Sequence, residues 1–141
     1  MSLDSPMPPE NAPTLTGSAP YFFIRDLDAS LDYYCDVLGF TRPRLWGVPP
    51  TFAMPYRDGF IFMLKQVKDV STITPNESRG GLWDAYVWVR NLRALHAEFE
   101  AKGAEFAYGL THQHEYDNIE FAVRDPDGYV IAFGQGVEDE E

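Results

Sequence analysis

The chain has 141 residues, of which 45% are hydrophobic and 15% aromatic, a composition that excludes a disordered protein. Its 11 basic and 22 acidic residues give a net charge of −11, which argues against nucleic-acid and anionic-membrane partners and favours cationic ligands. The single cysteine, Cys35, excludes an intramolecular disulfide and is predicted to be a buried structural residue. We therefore expect a soluble, cytoplasmic protein.

The first 18 residues are rich in proline and contain no long apolar run, so residues 1–18 are predicted to be a flexible leader. The segment Tyr21-Phe22-Phe23-Ile24 then predicts a strand that runs directly into a helix. Apolar side chains recur at helical spacing in this helix, which is expected to end at Gly39. Three strands are predicted next, near residues 44–46, 51–56 and 60–66.

The same pattern returns after a linker at residues 68–82. An aromatic strand at 86–89 leads into a helix that ends at Gly103, and further strands are predicted near 105–108, 119–123 and 129–134. The two segments are offset by 65 to 69 residues, which indicates two copies of one unit. The predicted organisation is a first βαβββ module at 19–67, a second at 83–136 and an acidic tail at 137–141. The fold class is α+β, with two mixed curved sheets enclosing a cavity.

Three stretches carry a family resemblance: Arg-Asp-Leu-Asp-Ala-Ser at 25–30, Val-Leu-Gly-Phe at 37–40, and Glu-Phe-Ala-Val-Arg-Asp-Pro-Asp-Gly at 120–128. Together with the repeat, they resemble the vicinal oxygen chelate superfamily, over residues 19–135. The end of the chain is most similar to the glyoxalase/bleomycin resistance protein/dioxygenase group, especially its bleomycin-resistance-like members. The resemblance implies paired βαβββ modules, a small-molecule ligand and a homodimer.

Metal-using members of the superfamily take ligands from the first and last strands of each module. The resemblance places these positions at Ala19, Met63, Asp84 and Ala132, of which only Asp84 offers an oxygen to a hard cation. We therefore predict no metal and no other cofactor.

A relocated metal centre is the alternative. His112 and His114 share a face if they lie in a strand, and Glu115 or Glu120 could then complete a ligand set. We prefer the interpretation that both histidines are exposed or hydrogen-bonding residues.

Strand alternation predicts which residues face the cavity. Tyr21 and Phe23 share a face with Ala19, and Tyr86 and Trp88 share a face with Asp84. No catalytic residue is predicted, and the candidate ligand-binding residues are Tyr21, Phe23, Trp46, Phe52, Met63, Asp84, Tyr86, Trp88, His112 and His114.

Three functions are compatible with these residues. The favoured one is a metal-free protein that sequesters an aromatic or cationic compound, as in antibiotic resistance, because aromatic faces attract cations. The second is a lyase or dioxygenase with relocated metal ligands, or a metal-free isomerase. The third is a subunit without a ligand, in which the aromatic residues form an ordinary core.

Overall fold

A computed structural model describes residue 6 and residues 9–140 of the chain. The predicted leader therefore lies partly outside the described residues, and so does the last residue of the predicted acidic tail.

The first half of the chain forms a four-stranded mixed sheet covered by one helix. The elements are β1 Tyr21–Ile24, α1 Leu27–Asp32, β2 Leu45–Trp46, β3 Phe52–Ala53, β4 Tyr56–Arg57, β5 Phe60–Ile61 and β6 Met63–Gln66. Strand β1 runs parallel to β6, and the order across the sheet is β1-β6-β3-β2. A π-helical turn at Tyr33–Val37 extends α1, and Gly39 follows with a φ of 76°, so the predicted end of this helix is confirmed.

The strands predicted at 51–56 and 60–66 are each interrupted. The break lies at Pro55, which has no N–H to donate to a ladder but whose carbonyl accepts from the Phe62 amide at 3.1 Å. Between the two interruptions, β4 and β5 pair as a separate hairpin. Its turn residues Asp58 and Gly59 both have positive φ, 53° and 82°, as a tight two-residue hairpin turn requires.

The second half repeats the arrangement with longer strands. The elements are β7 Ala85–Trp88, α2 Leu92–Ala101, β8 Glu105–Gln113, β9 Asn118–Arg124 and β10 Val130–Gly136. Here β7 is parallel to β10, and the sheet order is β7-β10-β9-β8. The α+β class with paired mixed sheets is thus confirmed.

The repeat extends to the hydrogen bonds that begin each helix. The Gln66 side-chain oxygen accepts from the Leu27 amide at 2.7 Å, and the Gln135 side-chain oxygen accepts from the Leu92 amide at 3.0 Å. Each glutamine lies at the end of the last strand of its half and satisfies a helical N–H that has no partner within the helix. The two halves therefore share a hydrogen-bonding scheme as well as a strand order.

One hydrophobic core joins both halves. On β1, Phe22 and Ile24 are buried while Tyr21 and Phe23 are exposed, so the predicted alternation is confirmed for this strand. The core continues through α1, α2 and the inward faces of β9 and β10. Cys35 packs against this core and is partly buried, and burial raises the pKa of its thiol. On the outward faces of the two sheets, the aromatic side chains of Tyr21, Phe23, Trp46 and Trp88 stay exposed.

Candidate ligand-binding site

The outward face of the second sheet carries small and polar residues where its inward face carries core residues. On β9, Ile119, Phe121 and Val123 belong to the main core, whereas Asn118, Glu120 and Ala122 alternate with them. Ala122 packs in a smaller cluster with Val130 and Ala132 of β10, against which Trp83, Tyr86, Ala107 and Tyr108 lie. Ala132, where the family resemblance places a metal carboxylate, is thus part of an apolar floor beneath aromatic rings.

Glu120 is the centre of this face. It is fully buried, and four side chains donate hydrogen bonds to its carboxylate. The Tyr86 and Tyr116 hydroxyls donate to Oε1 at 3.0 and 2.5 Å, while the Tyr108 hydroxyl and Gln113 Nε2, the latter at 3.4 Å, donate to Oε2. In the described part of the chain, no Lys, Arg or His forms an ion pair with this carboxylate, so its hydrogen-bond donors are three tyrosine hydroxyls and one amide.

The sheet register explains how Tyr86 reaches Glu120 from two strands away. Tyr86 on β7 is paired with Ala132 on β10, and Glu120 on β9 is paired with Gly134 on β10. The Tyr86 ring crosses β10 at Gly134, where a Cβ would lie 1.9 Å from the tyrosine hydroxyl oxygen. A glycine at position 134 is therefore required for the Tyr86–Glu120 hydrogen bond.

Two further aromatic residues extend the face beside Tyr86. The Trp83 ring packs edge-on against Tyr86 with centroids 4.8 Å apart, and Trp88 lies 5.1 Å from Tyr86 on the other side. Trp83 Nε1 donates to the Tyr108 hydroxyl at 2.8 Å, and Tyr116 makes an edge contact with Trp83 at 6.3 Å. The result is a continuous aromatic surface over a buried carboxylate, which we call the Glu120 face: Trp83, Tyr86, Trp88, Tyr108, Tyr116 and Glu120.

The hydroxyls of this face are held in the neutral, donating form. Burial raises the pKa of Tyr86 to about 12; the Asn118 hydrogen bond opposes this shift, and the charge of Glu120 and the hydrogen bond to it add to it. Burial, followed by the hydrogen bond to Glu120, also raises the pKa values of Tyr108 and Tyr116 well above the usual range of a tyrosine. Asn118, also fully buried, donates through Nδ2 to the Tyr86 hydroxyl at 2.9 Å, and its Oδ1 has no hydrogen-bond partner in the described part of the chain.

The first sheet presents a second aromatic cluster. Tyr21 contacts Phe23 and Phe52, with ring centroids 5.8 and 6.3 Å apart, and Trp46 contacts Phe52 at 5.7 Å. Met63 is the register partner of Tyr21 on the neighbouring strand. Among the described residues, no ring contact joins this cluster to the Glu120 face, so a single chain holds the predicted cavity residues as two separate groups.

The Asp84 carboxylate is engaged by backbone amides. Its Oδ1 accepts from the Asn76 amide at 2.8 Å and its Oδ2 accepts from the Val130 amide at 2.9 Å, which ties the linker to the start of β10. Asp84 lines an open groove with Tyr21 and Phe23, on the side of the first cluster.

The residues at the inherited metal positions do not fit a metal. Ala19 and Ala132 offer no ligand atom, Met63 offers only a thioether, and both oxygens of Asp84 accept backbone hydrogen bonds. Within the described ranges, no group of three or more His, Cys, Asp and Glu side chains is arranged to hold an ion.

The two histidines lie near the tip of the β8–β9 hairpin and are exposed. Their rings are 3.9 Å apart, and His112 Nε2 lies 2.7 Å from Asp117 Oδ1. Glu115 is exposed on the same turn and Glu120 is enclosed by tyrosines, so neither joins them as the relocated centre would require.

The central residue of the site was not among the predicted ligand-binding residues. The sequence indicates Glu120 only as a possible ligand of a relocated metal, and it does not predict Trp83, Tyr108 or Tyr116 as site residues. The alternation of Asn118, Glu120 and Ala122 with apolar residues along a predicted strand was the available signal, because it places a carboxylate on the cavity side.

Comparison with known proteins identifies the family. Residues 18–133 match the family model described as the Glyoxalase/Bleomycin resistance protein/Dioxygenase superfamily. The chain therefore belongs to this superfamily. A comparison with curated protein sequences finds no significant match.

Solved structures show the same fold at low sequence identity. TioX from Micromonospora sp. ML1 superposes with a TM-score of 0.68 at 20% identity, covering 86% of this chain and 99% of TioX. A glyoxalase/bleomycin resistance protein/dioxygenase from Alicyclobacillus acidocaldarius gives a TM-score of 0.72 at 18% identity, covering 88% and 93%. The bleomycin-binding protein from bleomycin-producing Streptomyces verticillus, solved with copper(II)-bleomycin, gives 0.66 at 22% identity, covering 89% and 99%. In the described part of the chain, no helix is long and apolar enough to cross a membrane.

Proposed function

We propose that this chain is a metal-free small-molecule binding protein that sequesters an aromatic cation on the Glu120 face. The observation that carries the proposal is the buried Glu120 carboxylate. Among the described residues its partners include tyrosine hydroxyls but no cation, and it lies beneath a surface of aromatic rings. The ligand would stack on Trp83, Tyr86 or Trp88, and its positive charge would lie within the field of the carboxylate.

The electrostatics favour a cation for three reasons. A carboxylate in a buried, low-dielectric site acts more strongly on a nearby charge than an exposed one does. Tyrosines that donate to a carboxylate gain electron density in their rings, which strengthens cation–π attraction. The net charge of −11 also attracts cations toward the protein as a whole. The structurally similar bleomycin-binding protein supports a glycopeptide antibiotic as one ligand to test, and a role in antibiotic resistance in the cytoplasm would follow.

The proposed binding unit is a homodimer. On the outward faces of the two sheets, four aromatic side chains expose 58%, 37%, 38% and 41% of their surface: Tyr21, Phe23, Trp46 and Trp88. Within the described ranges, strands β1 and β7 each have a neighbouring strand on one side only, so both sheets have open edges. A second copy that sets its first sheet against the Glu120 face would cover both clusters and enclose the ligand.

The test is a comparison of charge variants. Calorimetric titration of the purified protein with N-methylquinolinium and with neutral 1-methylnaphthalene should show preferential binding of the cation. Glu120→Gln keeps the shape of the side chain but removes its charge. We expect this variant to bind the cation about tenfold or more weakly, while its affinity for the neutral compound changes little. Glu115→Gln is the matched control, because Glu115 is an exposed acid on the hairpin that carries Tyr116.

Two results would contradict the proposal. Equal affinity for the two compounds in the parent protein would remove the role of the charge. A stoichiometric divalent metal in protein purified without chelator would show that the metal-free description is wrong. Bleomycin, titrated in parallel, tests the glycopeptide as a ligand.

A further inference from the structure

A cavity lies between the two halves of the chain and borders the Glu120 face only at Trp88. Its volume is about 340 Å³, near the lower end of the range of about 300–1,000 Å³ for small-molecule pockets. The β4–β5 hairpin and Phe40 line one side, while β7 and α2 line the other. None of the residues proposed to hold the aromatic cation lines it except Trp88, which stands at the boundary.

The interior of this cavity is apolar. Phe40, Phe62 and Phe99 are buried core residues whose rings reach its wall, and Leu95 contributes from α2. Phe60 of the hairpin also lines it although 59% of its surface is exposed. Since a large exposed aromatic side chain gains free energy when it is covered, a bound apolar group would be stabilised here.

Arg57 and Glu98 form a fixed ion pair at the rim. Arg57 Nη1 donates to Glu98 Oε2 at 2.7 Å and to the Leu38 carbonyl at 2.8 Å, and Nη2 donates to Glu98 Oε1 at 3.1 Å. This bidentate pair holds the hairpin against α2 and leaves neither charge available to a ligand. The pair thus keeps the mouth of the cavity in shape.

Arg90 is the other cation of the rim. It is exposed at the entrance to α2, beside Asn91, and no hydrogen bond or ion pair in the described part of the chain engages its guanidinium. An unpaired guanidinium at the mouth of an apolar cavity matches a ligand that has an apolar body and a carboxylate at one end.

We propose that the inter-module cavity is a second ligand site, independent of the Glu120 face, and that it binds a small apolar carboxylic acid. The ring or chain of the acid lies among Phe40, Phe60 and Phe62, and its carboxylate accepts hydrogen bonds from Arg90 and from the Asn91 side-chain amide. The net charge of −11 repels anions at long range, so the affinity comes from apolar burial and from this local contact. The two sites therefore select ligands of opposite charge.

The experiment uses 2-naphthoate as the acid and 2-naphthalenemethanol as its neutral counterpart, titrated calorimetrically into the full chain. The acid should bind saturably and at least about tenfold more tightly than the alcohol. Arg90→Gln should reduce the acid to the affinity of the alcohol and leave the alcohol unchanged. Arg93→Gln is the matched control, because Arg93 lies on the same helix but pairs with Glu140 outside the cavity.

A second variant tests the location. Ala94→Trp places a large side chain in the cavity from an exposed helical position and should abolish binding of both compounds, with folding checked by circular dichroism. Undiminished binding to Ala94→Trp, or equal affinity of the parent for acid and alcohol, would overturn the proposal. Glu120→Gln should leave 2-naphthoate binding unchanged, so failure of the cation site and failure of this site are distinguishable.

Discussion

Gly134 and Glu120 face each other across β10 and β9, and their pairing decides where Tyr86 lies. The glycine has no side chain to occupy the path of the Tyr86 ring, so the hydroxyl can reach the carboxylate. Hence the aromatic part and the charged part of the Glu120 face depend on one small residue.

Gly134→Ala should destabilise the fold and weaken cation binding together. The new methyl group would lie 1.9 Å from the Tyr86 hydroxyl oxygen and 2.6 Å from Cζ, so the ring must move and the hydrogen bond to Glu120 is lost. We expect a loss of about 1–3 kcal/mol in the free energy of unfolding, measured by urea denaturation.

The control for this substitution is Gly109→Ala, on β8 of the same sheet, where an added Cβ would meet nothing within 4 Å. It should leave stability within about 0.5 kcal/mol of the parent. Equal effects of the two substitutions would show that Gly134 does not position Tyr86.

At the scale of elements, the turn between β9 and β10 fastens the two halves of the chain. Asp127 Oδ1 accepts from the Arg25 backbone amide at 3.1 Å, and Asp125 Oδ2 accepts from the Tyr34 hydroxyl at 2.8 Å. Tyr129 donates to the Phe23 carbonyl at 2.6 Å and stacks on Phe22, with ring centroids 4.1 Å apart. The Asp-Pro-Asp-Gly segment thus acts as a clasp on β1 and α1, in addition to forming a turn.

This clasp should make stability depend on pH. Burial raises the pKa of Asp125 to about 7, although the Tyr34 hydroxyl and the amides of Tyr129 and Asp127 partly oppose the shift. The unfolded chain releases this proton near pH 4, so the folded state holds it more tightly, and protonation favours folding. The contribution is complete below about pH 4 and is lost as the pH rises through 7, a change of about 2–3 kcal/mol between pH 5 and pH 8.

Asp125→Asn tests the assignment. An asparagine oxygen can accept from the two backbone amides and its nitrogen can donate to Tyr34, but it does not titrate. As the pH falls from 8 to 5, the parent should therefore gain unfolding free energy relative to the variant. A difference that stays constant over this range would assign the pH dependence to other groups.

The elements themselves were largely predictable from the sequence. The two helices, the succession of strands along each half and the inward facing of Phe22 and Ile24 follow from local periodicity, which operates over a few residues. The separate hairpin was not predicted, because the apolar pattern continues through Pro55 while the missing N–H interrupts the ladder.

The candidate site was less predictable, because it depends on contacts between residues that are far apart in the sequence. The hydrogen bonds of Glu120 join residues 34 and 12 positions apart, Tyr86 and Tyr108, and depend on which strands become neighbours. Strand parity could place the side chains on a face, but it could not say that three hydroxyls converge on one carboxylate.

At the scale of the whole molecule, the separation of the two aromatic clusters has a consequence for assembly. Light scattering at micromolar concentration should give twice the chain mass of 16.0 kDa. A sharper test mixes two inactive variants: Trp46→Ala damages the cluster on the first sheet, and Trp88→Ala damages the Glu120 face. If each site combines one face from each chain, a mixed dimer has one site with both changes and one intact site.

Co-expression of the two variants should therefore restore about a quarter of the cation sites of the parent, since about half of the dimers are mixed and each has one intact site. Titration with N-methylquinolinium counts these sites. No restoration, with dimers present, would show that each site is built within a single chain.

The clasp also has a consequence for how the chain folds during synthesis. The partners of Arg25 and Tyr34 are Asp127 and Asp125, which follow them by 102 and 91 residues and leave the ribosome only after most of the chain has been made. Closing loops of this length costs entropy before any contact stabilises the closed loop. The first helix therefore lacks its final partners until the second half has been synthesised. Nascent chains arrested before residue 125 should consequently expose Phe22 and the β1 edge to chaperones, and acquire protease resistance only when the second half is complete.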